Sequence, residues 1–83
     1  MNNYEEEAKK MSNDEKDFLI KRGEYSENLA AQHRISREFD KELKFLKEAF
    51  KYYKKAGDKE ALLRVKNKYD NALKDYKASQ GEK

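Results

Sequence analysis

Five lysines, Lys44, Lys47, Lys51, Lys54 and Lys55, share the polar side of one helical stretch and form the densest like-charged stripe in the sequence. Such a stripe can track phosphates, and Arg34, Arg37 and Lys41 lengthen it if the helix continues upstream. Glu48 interrupts it, and the aromatic or arginine interleaving of specific nucleic-acid readers is missing. A solvated helix face is therefore the stronger reading, and nucleic-acid contact the alternative.

Other candidate chemistry is sparser. The single histidine, His33, sits near Arg34 and Arg37 in an anion-friendly corner, but no carboxylate and nucleophile are spaced to use it as a catalytic base. Glu38 and Glu42 share a helix face at i, i+4, which could hold a cation, yet no further ligand is evident and Lys41 or Arg34 can pair them instead. No glycine-rich phosphate loop, triad spacing or metal motif occurs. The expectation is a chain without enzymatic activity, cofactor, metal or small-molecule substrate.

Composition narrows the class further. Eighty-three residues allow one domain with a modest core. With no cysteine, disulfides cannot staple that core, and a reducing cytoplasm fits. Charged residues reach 45% against 36% hydrophobic, a balance near that of disordered chains, but the apolar residues are periodic and so argue for structure. The net charge of +3, from 20 basic and 17 acidic residues, is too small for a strong polyanion binder. No apolar run is long enough to span a membrane, and the N-terminus lacks the apolar core of a signal peptide.

The elements that must position these side chains are helices. Proline is absent and there are only three glycines, so little interrupts a helix. Phe39, Leu43, Leu46, Phe50 and Tyr53 alternate at steps of four and three within Ile35 to Ala56, the stretch around which the chain is organised. Upstream, Ser12 and Glu15 make a capping box that starts a helix. Its seam reads Phe18, Arg22, Tyr25, Leu29, Gln32 and Ser36, continuous with the central one. Downstream, Gly57 stops the central helix in a left-handed cap and Asp58 starts the next. The last helix then folds back antiparallel with Leu62, Val65, Tyr69, Ala72, Leu73 and Tyr76 on its apolar face.

Two all-α architectures fit. In the first, one helix runs from Asn13 to Lys55, about 65 Å long, and pairs with the C-terminal helix as a coiled-coil-like hairpin. In the second, a turn near Gln32 to Ser36, with Ser36 capping a new helix, makes a three-helix bundle. No glycine or proline marks that turn, which favours the long helix. Residues 1–11 read as a flexible or frayed segment, 12–79 as one helical domain and 80–83 as a polar tail.

The central segment has a second apolar shoulder, Phe45, Ala49, Tyr52 and Ala56, too far round for one neighbouring helix to cover together with the main seam. Either the N-terminal helix covers it or another chain does. Ala49, Tyr53 and Ala56 also have the small-aromatic-small spacing of the second helix of a tetratricopeptide repeat, and AFKYYKKAGD resembles one. The first-helix signature is absent upstream and no second repeat follows, so the likeness is one of helix packing and assigns no family. The expected function is protein binding, as a regulator, adaptor, inhibitor or assembly component, with homodimerisation plausible. Phe45, Leu46, Ala49, Phe50 and Tyr52 are the expected interface residues.

Overall fold

In the computed structural model, residues 12–81 are described, and they form three helices: α1 (Asn13–Ile35), α2 (Phe39–Ala56) and α3 (Lys59–Gly81). No strand occurs among the described residues. The expectation for residues 1–11 lies outside them. At the other end α3 runs through positions 80 and 81, where a polar tail was expected.

The helix starts follow local chemistry. The Ser12 hydroxyl accepts from the Glu15 amide at 3.2 Å and donates to the Glu15 carboxylate at 3.3 Å. A cap of this kind is worth about 1 kcal/mol. The Asp58 carboxylate caps α3 by accepting from the Ala61 amide at 3.1 Å. Gly57 takes the left-handed conformation at φ 73° and ends α2, as its position just past the last apolar residue predicts.

The long helix is not what forms. The chain breaks at Ser36–Arg37–Glu38, giving the three-helix arrangement. The break reuses the hydrogen-bond scheme of the Gly57 turn. At Gly57, the Gly57 amide reaches Lys54 O and the Asp58 amide reaches Tyr53 O, each at 3.1 Å. At the first turn, the Arg37 amide reaches Arg34 O and the Glu38 amide reaches His33 O, each at 2.9 Å. Both are Schellman closures, but Arg37 at φ 58° fills the left-handed position that glycine fills in the other. Ser36 is thus the C-cap of α1, and Glu38 rather than Ser36 stands at the N-cap of α2.

A left-handed arginine costs on the order of 1 kcal/mol. Side-chain contacts around the turn offset it. Phe39, the first residue of α2, is buried beneath the guanidinium groups of Arg34 and Arg37, 5.6 and 5.3 Å from its ring centre. Glu38 meets His33 at 2.9 Å across the turn.

The central helix packs against both neighbours, and their side-chain pairings run antiparallel to it. Its main seam follows the spacing except at Phe50: Phe39, Leu46 and Tyr53 are buried and Leu43 half-buried, while Phe50 is left exposed where α3 does not cover it. On α3, Leu62, Val65 and Ala72 are buried with Ala61, while Tyr69, Leu73 and Tyr76 are half-buried.

The α1 seam is a correction. Phe18 and Tyr25 are exposed, as are Arg22, Gln32 and Ser36, and the buried stripe is Gly23, Ser26, Glu27 and Ala30. Small side chains on that stripe let α1 approach α2 closely. A β-carbon added at Gly23 would lie 2.7 Å from the Tyr53 ring.

Candidate protein-docking site on the central helix

The two expected faces of α2 have different fates. On the shoulder, α1 supplies the cover from within the chain. The His33 ring stacks on Phe45 with centroids 5.3 Å apart and planes 2° from parallel. The Arg22 guanidinium lies 5.4 Å from the centre of the Tyr52 ring and donates to its hydroxyl at 3.1 Å. Phe45 and Tyr52 are left half-buried at the edge of the α1–α2 contact. Ala49 and Leu46 are fully enclosed, so neither can touch an approaching chain in this arrangement.

The shoulder contact is reinforced by a charged cluster with no counterpart in the sequence reading. Glu27, only 7% exposed, accepts from the Tyr53 hydroxyl at 2.8 Å, from Arg64 Nε at 2.8 Å and Nη2 at 2.9 Å, and from Lys68 Nζ at 2.6 Å. These donors come from α2 and α3, so one carboxylate ties all three helices together. The Arg64 hydrogen bonds lower its pKa to about 2, outweighing the burial that opposes ionisation, and Lys68 and Tyr53 add to the effect. Burial, then the hydrogen bond to Glu27 and its negative charge, raises the Tyr53 phenol well above its ordinary range.

Glu27 and Lys68 line a groove between α1 and α3, and a second bridge spans it. Arg34 donates to both oxygens of the buried Glu42, at 3.1 and 3.3 Å, and to Asp75 at 2.6 Å. Here burial prevails and raises the Glu42 carboxyl, with Arg34 opposing it. Glu42 was expected to pair with Arg34 or Lys41, and Arg34 is the residue that takes it. Every carboxylate lining this groove is answered by a cation of the chain itself, which makes it a brace between helices.

The lysine stripe lies on the outer surface. Lys44, Lys47, Lys51, Lys54 and Lys55 are exposed, and Lys44 rests 5.6 Å from the centre of the Phe45 ring. Arg34 and Arg37 do not continue it, because the helix break separates them from α2 and each is turned onto Phe39. Among the described residues no group of three or more histidines, aspartates or glutamates is placed to hold a metal ion. No described helix is long and apolar enough to cross a membrane.

The opposite flank of α2 carries the open apolar feature. Phe50 is 36% exposed at the edge of a groove between α2 and α3, with Tyr69 along its wall and Leu46 and Val65, each 1% exposed, only underlying it. The groove holds about 300 Å³, and its polar lining is confined to Lys47 and Lys66. Lys66 pairs with Asp70 at 3.3 Å, whereas Lys47 makes no ion pair among the described residues. Of the five expected interface residues, Phe50 is the most exposed. Tyr69 and Val65 complete its site from a helix that the sequence reading assigned wholly to the core. Compared with known proteins, the chain matches no family model, no curated protein and no solved structure.

Proposed function

We propose that this chain is a small non-enzymatic protein-binding module whose docking surface is the Phe50 groove between α2 and α3. The observation that carries the reading is an aromatic ring left partly bare beside an apolar floor, where a helical protein would otherwise bury it. The lysines on the rim favour an occupant that presents an apolar side chain with carboxylates beside it. Regulator, adaptor, inhibitor and assembly component all act through such contacts. A chain without cysteine suits a reducing compartment, and the cytoplasm is the location we propose.

The alternative, binding of a nucleic acid by Lys44, Lys47, Lys51, Lys54 and Lys55, draws support from their exposure on one helix face. It is the weaker reading because Arg34 is already engaged by Glu42 and Asp75.

The test is a photo-cross-linking residue placed at Phe50 and, as a control, at exposed Glu24 on α1. A product at position 50 that disappears with Lys47→Glu and is absent at position 24 is expected. No product at 50, or equal products at both positions, overturns the docking reading.

A further inference from the structure

We infer that the occupant of the Phe50 groove is Phe18 from a second copy of this chain. The inference rests on the docking reading above and commits it to one occupant. Phe18 is 61% exposed, the ring of an α1 turn that also carries Asp14, Glu15 and Asp17, all exposed. Arg22 lies 6.0 Å from the ring centre, and Lys55 of α2 lines the same hollow as Phe18, Asp14 and Glu15. The result is an apolar knob with carboxylates on its N-terminal side.

The groove offers an apolar lining and the complementary charge. Its walls are apolar, its rim carries Lys47 and Lys66, and Lys51 stands one turn further along α2. Knob and groove lie on different helices, so one copy can give Phe18 and receive Phe18 at the same time. A contact between unlike patches of this kind is heterologous.

Charge also selects against the simplest competitor. Two grooves meeting face to face would bring Lys47 and Lys51 of one copy against the same lysines of the other, and like charges in apposition oppose association. Tyr25, Ile35 and Leu63 are also exposed, at 63%, 83% and 62%, but none has three carboxylates in its own turn as Phe18 has. Lys21, Arg22 and Glu24 flank Tyr25, Arg34, Arg37 and Glu38 flank Ile35, and Lys59, Glu60, Arg64 and Lys66 flank Leu63.

The experiment is sedimentation of the full chain from low micromolar to near-millimolar concentration, with Phe18→Ala and Phe50→Lys as single variants and helicity followed by circular dichroism. Expected is a wild-type mass that rises with concentration, and two variants that keep their helicity but stay at the mass of one chain. Mixed in equal amounts, the variants should regain association and stop at two chains, because the mixture retains one intact groove and one intact knob. Should either variant lose helicity, Lys47→Glu and Asp14→Lys replace them, since both change exposed side chains; the two reversed charges complement each other, so that mixture should regain association without stopping at two chains.

A wild type that remains a single chain throughout overturns the inference. So does association that survives both variants, or a mixture that fails to associate although the wild type does, which would indicate like-with-like contact. A monomeric chain that still cross-links another protein at position 50 overturns the second copy while leaving the groove as the docking surface. Failure of both experiments removes both.

Discussion

The Tyr53 ring lies against the backbone of Gly23, so close that a β-carbon on the glycine would sit 2.7 Å from a ring carbon. This contact sets how near α1 comes to α2. The nearness in turn brings the Tyr53 hydroxyl to Glu27, one helical turn along α1, at 2.8 Å. Glycine inside a helix is unfavourable by about 1 kcal/mol relative to alanine. Here the missing side chain is the space into which the largest fully buried residue fits.

Gly23→Ala therefore sets helix propensity against packing, and packing should prevail. The Tyr53 ring is 1% exposed and bounded by three helices, so it cannot swing aside as a surface side chain would. Overpacking of a closed core costs about 1–3 kcal/mol, more than the gain in propensity. Urea denaturation should show a lower midpoint. A stabilised Gly23→Ala variant would mean that the ring has room to move.

Glu27 predicts the acid limb of stability. Its folded pKa of about 2 lies below the ordinary value of 4.5, so its contribution is complete above pH 4.5 and is lost as pH falls towards 2. The fall from 4.5 to about 2 corresponds to at most about 3–4 kcal/mol. Arg64 and Lys68 are each about half exposed, and screening by water reduces the amount to about 1–2 kcal/mol. Glu27→Gln should lower stability at neutral pH and flatten the profile over that interval. Glu42 works in the opposite sense. Its raised pKa means that the stability linked to its protonation is present at low pH and fades as pH rises through the folded value. Glu42→Gln should accordingly cost less than Glu27→Gln at neutral pH, a ranking that unfolding curves at several pH values will check.

Arg37 predicts a gain. Glycine there would relieve the left-handed penalty of about 1 kcal/mol, at the loss of an exposed arginine–aromatic contact with Phe39 worth about 0.5 kcal/mol. Arg37→Gly should raise stability by roughly 0.5 kcal/mol, a few degrees in Tm for a domain of this size. A fall in Tm would show that the Arg37 side chain, and not the backbone scheme, holds the turn.

The same pair of turns marks what a sequence can disclose. Gly57 announces its turn because the residue type and the backbone requirement coincide. Arg37 hides an identical turn because the requirement is met by the wrong residue, its guanidinium resting on Phe39 while His33 and Glu38 pair across the turn. The faces of α2 and α3 were legible because Leu46, Tyr53, Leu62 and Val65 are large and apolar at helical spacing. The buried face of α1 was not, since Gly23, Ser26, Glu27 and Ala30 carry no apolar signal, while Phe18 and Tyr25 carry a strong one and face solvent. At the proposed docking site, Phe50 was readable from its spacing, but Tyr69 and Val65 required knowing that α3 leaves a groove beside it.

Leu46 and Phe50 stand one turn apart on α2, and the docking proposal requires them to respond differently. Leu46 is 1% exposed beneath both neighbouring helices, so Leu46→Ala should open a cavity and cost about 2–5 kcal/mol. Phe50→Lys exchanges a ring at the rim for an aliphatic stem that can lie along the same wall with its charge in water, and should cost about 1 kcal/mol or less. Thermal unfolding of the two variants separates a core residue from an anchor for another molecule. If Phe50→Lys proves as damaging as Leu46→Ala, the ring is part of what holds α3 on α2. The groove would then have no aromatic to spare for binding. A mild loss of stability joined to the loss of cross-linking at the groove is the combination that a docking surface predicts.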